Sequence, residues 1–283
     1  MKFAIYQESR IGKRKSNQDR LAYAYTREAL LLVVADGMGG HLRGDVAAQI
    51  ATQRIVESFK REARPTLAAP AQFLAQAMAH AHESIAAYAS DQRLPDSPRT
   101  TCVACVVQNG VASWTHAGDS RLYLIRNGCI LVRTIDHSYV QMLLDKGLID
   151  QETAATHPAR NRVLSCLGGP HLPHIDFSPD TPLCDGDVMV LCSDGAWSPF
   201  TSEEMAQLFL GSDTRIRLSV PRFLDQAELR SGEYCDNLSV VAMQWQDGDA
   251  RQYLDGDSIG TQAMPPDGCV IQADSPGAES VIK

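Results

Sequence analysis

Four aspartates of the sequence stand next to apolar, strand-like segments, where an unpaired carboxylate is costly. They are Asp36, Asp119, Asp194 and Asp236. A lone Asp before Gly or Asn is usually only a turn residue. A charged group beside a buried strand, however, needs a metal ion or another cation to compensate for its lost hydration. The repeated pattern therefore indicates a site for a hard divalent cation with oxygen ligands.

A glycine-rich turn follows the first of these aspartates in the segment VVADGMGGH, and a predicted helix follows the turn. Strand, glycines and helix together also suggest a dinucleotide site. However, a GxGxxG pattern beginning at Gly37 requires glycine where Leu42 stands, and the phosphate-binding pattern GxxxxGKS/T does not occur. The glycines instead allow backbone carbonyl groups to approach a ligand closely. We therefore favour a cation site over a nucleotide site.

Other metal-site patterns in the sequence are incomplete. Cys102 and Cys105 form a CxxC pair without the second Cys or His pair that a zinc site needs. We expect the eight cysteines to be mostly buried, reduced thiols. The segment DGDSIG resembles the start of a calcium loop, but its fifth and twelfth positions, Ile259 and Pro266, lack side-chain oxygens. The aspartates thus remain the strongest candidate ligands.

The composition narrows the classes of protein to consider. The chain has 283 residues and a formal net charge of −8. Its longest apolar run, residues 29–35, is far shorter than the ~18 residues that a membrane span requires. The N-terminus lacks the charge order and cleavage site of a signal peptide, and the acidic balance argues against a nucleic-acid partner. We expect a cytoplasmic protein without a membrane span.

The order of apolar patterns predicts an α+β fold. The strand-like runs LAYAY and LLLVVAD precede two amphipathic helices, over 45–61 and 70–88. Asn-Gly pairs at 109 and 127 then stand between β-rich runs, which predicts an antiparallel meander. A capping box from Thr201 to Glu204 opens a further helix, and DNLSVVAMQW predicts a final strand. These blocks predict two antiparallel sheets with helices packed outside.

The composition changes beyond Trp245. From there to the C-terminus the chain carries seven acidic and two basic residues, with many Gly, Pro and Ser and no sustained periodicity. The change predicts a single domain over 1–245, followed by an acidic, mobile C-terminal tail over 246–283.

Eight motifs resemble, in order and spacing, those of the metal-dependent protein phosphatases, the type 2C serine/threonine phosphatases, in their bacterial form. They are GKRKSNQDR at 12–20, VVADGMGGH at 33–41, RTT at 99–101, AGDSRLYLIRNG at 117–128, IDHSYV at 135–140, HPARNRVLSCLGG at 157–169, VLCSDGAW at 190–197 and DNLSVV at 236–241. The resemblance covers residues 1 to about 245.

This resemblance implies a four-layer α-β-β-α sandwich with a centre of two Mn²⁺ or Mg²⁺ ions and a third ion site. Asp36 matches the ligand that bridges the two ions, and Gly37 matches the neighbouring backbone-carbonyl ligand. Asp194 and Asp236 match the remaining carboxylates of the second ion. Asp119 with Asp194 matches the third site of bacterial members.

Two further matches concern water and substrate. Asp19 matches an outer acidic position that holds metal-bound water, and Arg14 matches the arginine that grips the substrate phosphate. The implied reaction is attack of a metal-bridging hydroxide on phosphoserine or phosphothreonine. Two cations ~3.5–4 Å apart lower the pKa of a bridging water towards ~7 and neutralise the phosphoryl oxygens. A planar guanidinium adds two directed hydrogen bonds to the phosphate.

The sequence departs from animal members of the family at two positions. Met38 stands where they place a His as proposed general acid, and the nearest histidine is His41. The leaving alkoxide still needs a proton, so either His41 or a metal-bound water supplies it, and we favour water. Gln18 stands where animal members carry a Glu, so direct carboxylate contact from that position is lost.

The sequence lacks the residues that two other kinds of phosphoryl-transfer enzyme require, the cysteine-dependent phosphatases and the DxDxT phosphotransferases. No cysteine is followed six positions later by Arg, and a DxDxT pattern beginning at Asp185 finds Met189 where Thr is needed. The remaining alternative is a catalytically silent family member that binds phosphoproteins, but no metal-binding Asp is lost.

The resemblance also implies that residues 143–169 form a flap that selects protein substrates. We expect a monomer that opposes a serine/threonine kinase by acting on it or on its targets.

Overall fold

A computed structural model describes residues 1–38, 43–210 and 216–246, and the backbone of 270–272. The strands are β1 (Lys2–Arg10), β2 (Asp19–Tyr25), β3 (Ala29–Asp36), β4 (Cys102–Gln108), β5 (Val111–Ala117), β6 (Arg121–Arg126), β7 (Cys129–Arg133), β8 (Asp176–Phe177), β9 (Thr181–Pro182), β10 (Val188–Cys192), β11 (Leu238–Gln246) and β12 (Val270–Gln272). The α-helices are α1 (Gly44–Glu62), α2 (Pro70–Asp91), α3 (Tyr139–Asp145), α4 (Gln151–Thr156), α5 (Asp194–Trp197), α6 (Ser202–Leu208) and α7 (Ile216–Ser231).

The strands form two antiparallel sheets. The first sheet has the order β1-β11-β10-β6-β7. The second has the order β12-β2-β3-β4-β5-β8, and β9 also pairs with β5. Helices α1 and α2 cover the outer face of the second sheet, and α5, α6 and α7 cover that of the first. This is the predicted α-β-β-α sandwich.

Strand β3 explains why the layers stack in this way. Its side chains alternate between two cores and are all buried up to the terminal Asp36. Leu30, Leu32 and Val34 face the first sheet, where they meet Met189 and Val241 among others. The intervening side chains of β3 pack against α1 and α2. A strand that is apolar on both faces therefore belongs in the middle of a layered structure.

The two Asn-Gly hairpins form as predicted, but the prediction that their strands form one continuous antiparallel meander is wrong. Asn109 and Gly110 join β4 to β5, and Asn127 and Gly128 join β6 to β7, with positive φ at all four residues, as such turns require. Strand β6, however, pairs with β10 in the other sheet. The chain leaves β5 at Gly118, whose φ of 112° and close approach to Thr101 suit only glycine.

The cysteines follow the prediction in part. Among the described residues, Cys102, Cys105, Cys192 and Cys235 are buried free thiols. Cys129 and Cys184 are exposed instead, because they lie at the start of β7 and in the loop before β10. Burial raises the pKa of Cys102 to about 12, so this thiol stays protonated and behaves as a small apolar side chain.

None of the described helices combines the length and apolar composition that crossing a membrane requires. Much of the predicted tail, 246–283, lies outside the described residues. Its segment Val270–Gln272 pairs antiparallel with β2 at the edge of the second sheet. No strand is predicted there from the sequence.

Candidate metal centre

The four aspartates predicted to be metal ligands lie together at one end of the sandwich, where they line a cleft of about 680 Å³. Register explains the convergence. Cys192 at the end of β10 is opposite Val240 of β11 and Arg121 of β6. The residues just beyond these pairs, Asp194, Asp236 and Asp119, therefore meet at one edge of the first sheet. Asp36 ends β3 of the second sheet at the same cleft, so both sheets contribute to its floor.

Asp36 is the central residue of this cluster of aspartates. It is directly opposite Asp19 in the β2–β3 register, and it lines the cleft together with Asp194. Burial raises the pKa of Asp36 well above its usual range, and the charges of the other cleft aspartates raise it further. The pKa values of Asp119 and Asp194 are raised in the same way, first by burial and then by neighbouring carboxylates. The cluster is therefore a concentration of negative charge that a cation would relieve.

The donor atoms fit a hard divalent ion. All the side-chain donors are carboxylate oxygens, which suit Mn²⁺ and Mg²⁺. One carboxylate oxygen of Asp19 and one of Asp119 are buried without any hydrogen-bond partner among the described residues. Buried acceptors of this kind are costly unless a ligand satisfies them. Asp36, Asp194 and Asp236 could hold two ions, and Asp119 with Asp194 could hold a third.

Asp19 lies behind the floor of the cleft. It is directly opposite Asp36 in the β2–β3 register. Its Oδ2 accepts a hydrogen bond from the Ser193 hydroxyl at 2.7 Å. Burial raises its pKa to about 6, although hydrogen bonds from Ser193 and Ser239 oppose the shift. This fixed, buried position suits the outer-sphere role that its motif predicts.

Gly37 is confined by the backbone on two sides. A Cβ at this residue would lie 2.3 Å from the carbonyl oxygen of Gly44 and 2.7 Å from that of Gln18. Only glycine therefore allows the turn after β3 to bring the start of α1 next to β2. The residue lines the cleft, which its predicted role as a backbone ligand requires.

Arg14 lines the cleft on its basic side, together with Lys13 and Lys15. Its Nη2 donates a hydrogen bond to Oδ2 of Asp236, while just over half of its side chain stays exposed. Residues 161–163 of the predicted flap also line the cleft and contribute Arg162. The cleft thus has an acidic floor and a basic rim. His41, the candidate general acid, lies outside the described residues.

Two threonines hold the backbone of Asp36 in place, a role that was not predicted from the sequence. The hydroxyl of Thr100 donates to the carbonyl oxygen of Asp36 at 2.8 Å, and that of Thr101 accepts from its amide at 3.2 Å. Thr101 also shares a hydrogen bond of 2.7 Å with Ser120, next to Asp119. The motif RTT is part of the resemblance, but its residues carry no assigned role in the sequence analysis.

Asn237 is a second positioning residue without an assigned role in the sequence analysis. Its Oδ1 accepts a hydrogen bond from the amide of Gln18, and its Nδ2 donates to the carbonyl oxygens of Ile11 and Ser16. These bonds attach the loop that carries Arg14 to the strand that follows Asp236. The signal was present in the DNLSVV motif, where Asn follows Asp236, a predicted metal ligand.

A third set of residues, Arg121, Asp136 and Trp197, holds the backbone of Asp119 in place. Arg121 forms two hydrogen bonds of 2.7 Å with the carboxylate of Asp136, and both side chains are almost fully buried. The guanidinium lies 3.2 Å from the ring centre of Trp197. The indole Nε1 of Trp197 donates to the carbonyl oxygen of Asp119 at 2.9 Å. The motifs AGDSR, IDHSYV and VLCSDGAW therefore meet in one supporting cluster.

Comparisons with known proteins agree with this site. The sequence model of the family described as protein phosphatase 2C matches residues 6–213. A serine/threonine phosphatase, stp, of Listeria monocytogenes is 31% identical over 215 residues, which cover 76% of this chain and 84% of that protein.

Solved structures share the fold. The serine/threonine phosphatase Stp1 from Staphylococcus aureus superposes with a TM-score of 0.79 at 26% identity, covering 87% of this chain and 96% of that one. The catalytic domain of the phosphatase PstP, in complex with two manganese ions, gives a TM-score of 0.71 at 26% identity, covering 87% and 100%. The chain therefore belongs to the protein phosphatase 2C family, as its motifs predict, and it is a protein phosphatase.

Proposed function

We propose that this enzyme hydrolyses phosphoserine and phosphothreonine on proteins, using two Mn²⁺ or Mg²⁺ ions held by Asp36, Gly37, Asp194 and Asp236. A third ion would bind Asp119 with Asp194. The observation that carries the proposal is the meeting of these carboxylates in one cleft, where burial and neighbouring carboxylates raise the pKa values of Asp36, Asp119 and Asp194. Such a cluster is expensive in a folded protein unless it binds cations.

The bound ions would supply activated water and positive charge for the phosphoryl oxygens. The residues of the chain then have three tasks. The carboxylates hold the ions, and Asp19, anchored by Ser193, accepts hydrogen bonds from ordered water. Arg14, which lines the same cleft beside Asp236 and keeps half of its side chain exposed, would donate its guanidinium hydrogen bonds to the substrate phosphate. The leaving alkoxide takes its proton from His41 or from water, and we favour water because a Met follows Gly37.

The rim of the cleft supports a phosphorylated protein as substrate. Lys13, Arg14, Lys15 and Arg162 line the same cleft as the aspartates, so a phosphate that enters it would meet several positive charges. Arg162 also lies 5.2 Å from the ring centre of Tyr139 at the start of α3, the helix that leads into the flap. We propose that residues 143–169 form a flap that selects among protein substrates.

The physiological setting follows from this substrate class. An enzyme that removes phosphate from Ser and Thr needs a kinase that adds it, so we propose that the substrates are a serine/threonine kinase or its targets. We further propose a monomeric, cytoplasmic protein with its catalytic domain over 1–245 and an acidic tail over 246–283.

Hydrolysis of para-nitrophenyl phosphate and of a phosphothreonine peptide tests the proposal directly. Each reaction is run with Mn²⁺, with excess EDTA, and with the Asp236→Asn variant. We expect Mn²⁺-dependent turnover that both EDTA and the substitution abolish. Folded, Mn²⁺-loaded protein without turnover would instead identify a silent module that binds phosphoproteins.

A further inference from the structure

A second group of metal-binding side chains lies away from the phosphatase cleft. His116 belongs to β5, His137 precedes α3, and Asp176 belongs to β8 with His174 two residues before it. The β5–β8 register places His116 directly opposite Asp176. In the described part of the chain, these four residues are separate from those that line the cleft.

The distances within the group suit a metal ion. One ligand atom from each of His116, His137 and Asp176 lies within 4.8 Å of the others. Nε2 of His137 is 3.2 Å from Oδ2 of Asp176, and Nε2 of His174 is 2.9 Å from Oδ1 of the same carboxylate. A tetrahedral ion with bonds of ~2.0–2.1 Å separates its ligand atoms by roughly 3.3 Å. The ligand atoms of His116, His137 and Asp176 are thus already grouped, and His174, which approaches the other oxygen of Asp176, must move inward to complete the set.

His137 provides an observation independent of the clustering. Only 9% of its side chain is exposed. Its Nε2 is buried without a properly directed hydrogen bond in the described residues, although Asp176 is near. A buried ring nitrogen in this state is costly unless a ligand satisfies it.

His116 is oriented in the manner of a metal ligand. Its Nε2 lies 2.8 Å from the carbonyl oxygen of Ile135, so that nitrogen carries the proton and Nδ1 keeps its lone pair. A backbone carbonyl that fixes the other ring nitrogen is the usual support for a metal-bound histidine. Burial also lowers the pKa of both His116 and His137, which keeps the two rings neutral.

We propose that His116, His137, His174 and Asp176 form a four-ligand site for Zn²⁺ or a similar transition-metal ion, distinct from the phosphatase centre. Imidazole ligands favour zinc, nickel and copper, whereas the oxygen-only cleft favours manganese and magnesium. Binding at Nε2 of His137 moves its ring proton to Nδ1. The long hydrogen bond that Nδ1 accepts from the Gly118 amide, at 3.3 Å, is then lost.

The ion would attach both ends of the flap to the edge of the second sheet. His137 precedes residues 143–169 in the chain, His174 and Asp176 follow them, and His116 lies on β5. Three separate segments would thereby share one ion. We infer that its role is to restrain the base of the flap while the phosphatase centre carries out hydrolysis.

Co²⁺ binding tests the site in a chain whose cleft has lost two ligands, the Asp36→Asn/Asp236→Asn variant. We expect one Co²⁺ per chain with the intense visible bands of four-coordinate cobalt. Adding Asp176→Asn or His174→Ala should weaken binding at least tenfold. Adding His171→Ala, an exposed histidine of the same segment, should leave it unchanged. A folded background variant that binds no Co²⁺, or an Asp176→Asn version that binds equally well, would overturn the site.

The unaltered protein provides a second measurement that does not depend on the background substitutions. After saturation with Mn²⁺, added Zn²⁺ should bind once per chain by calorimetry and slow hydrogen exchange of residues 143–169. The single Asp176→Asn variant should show neither effect. Binding of Zn²⁺ without slower exchange in the flap would disprove its role as a restraint.

Discussion

Arg14 donates a hydrogen bond to Asp236, so the residue proposed to hold the substrate phosphate is paired with a residue proposed to hold an ion. Both residues line the same cleft, so an ion at Asp236 and a phosphate at Arg14 would be neighbours. Binding of the ion and binding of the phosphate are therefore expected to depend on each other.

Replacement of Arg14 tests this relationship. We expect Arg14→Ala to lower kcat/KM for para-nitrophenyl phosphate by about 10- to 100-fold, the effect of losing a charge-assisted hydrogen bond of ~1.5–3 kcal/mol. Arg14→Lys should restore little, because ammonium cannot form two directed bonds to phosphate. Arg54→Ala, an exposed arginine of α1, is the matched control. Full activity in Arg14→Lys would show that charge alone suffices.

The stability of the metal-free enzyme should fall as the pH rises. The pKa of Asp19 increases from 3.8 to about 6 on folding, because burial disfavours its charged form. The folded protein thus keeps a proton that the unfolded chain releases, and this contribution is complete below pH 3.8 and lost as the pH rises through 6. The raised pKa values of Asp36 and Asp119 extend the loss to higher pH.

Urea unfolding in EDTA at pH 5, 6.5 and 8 measures this loss. We expect the midpoint to decrease across the series, and excess Mn²⁺ to remove the decrease by neutralising the carboxylates. Asp36→Asn should be less sensitive to pH in EDTA, because one of the repelling charges is gone. A midpoint in EDTA that rises steadily with pH would contradict the assigned direction of these pKa shifts.

The buried pair of Arg121 and Asp136 should contribute strongly to stability. Asp136→Ala leaves a buried guanidinium without a partner, which typically costs ~3–5 kcal/mol. The double variant Arg121→Met/Asp136→Leu should lose less, because neither charge remains. Glu57→Ala, which breaks an exposed pair with Arg54 on α1, should change the free energy of unfolding by under about 1 kcal/mol. Equal losses in the buried and exposed single variants would refute this account.

Arg162 should distinguish protein substrates from small ones. It reaches the cleft from the flap, whereas the aspartates of the floor act on any phosphate. We expect Arg162→Ala to lower kcat/KM for a phosphoprotein several times more than for para-nitrophenyl phosphate. Arg160→Ala, an exposed flap residue outside the cleft lining, should affect neither. Equal losses on both substrates would assign Arg162 to the chemistry instead of to recognition.

Features set by neighbouring residues were predictable from the sequence. The Asn-Gly pairs predicted both hairpins because their turns need positive φ at adjacent positions. The capping box of Thr201 and Glu204 predicted the start of α6, and both of its hydrogen bonds are present. The aspartates beside apolar strands predicted a cation site because a buried charge needs a partner.

Strand β1 and helix α7 were not predicted because their local patterns are weak. The two buried residues of β1, Gln7 and Ser9, are polar, and its apolar residues over 3–6 are only partly buried, so its sequence does not show a buried strand face. Helix α7 contains Pro221 in its interior, a residue that normally argues against a helix. Pairing with β11 and packing of Phe223 and Leu224 against the first sheet override these local preferences.

Only the tertiary structure decided which distant residues meet. The separation of β5 and β6 into different sheets depends on pairing with β10, some 65 residues further along the chain. Contacts between distant segments also place Thr101 beside Asp36, Asn237 beside the Arg14 loop, and the three histidines around Asp176. Turn and capping preferences act between neighbours, whereas strand register acts between segments far apart in sequence. The residue types of the candidate ligands could therefore be recognised in the sequence, whereas only the fold brings these residues together in two groups.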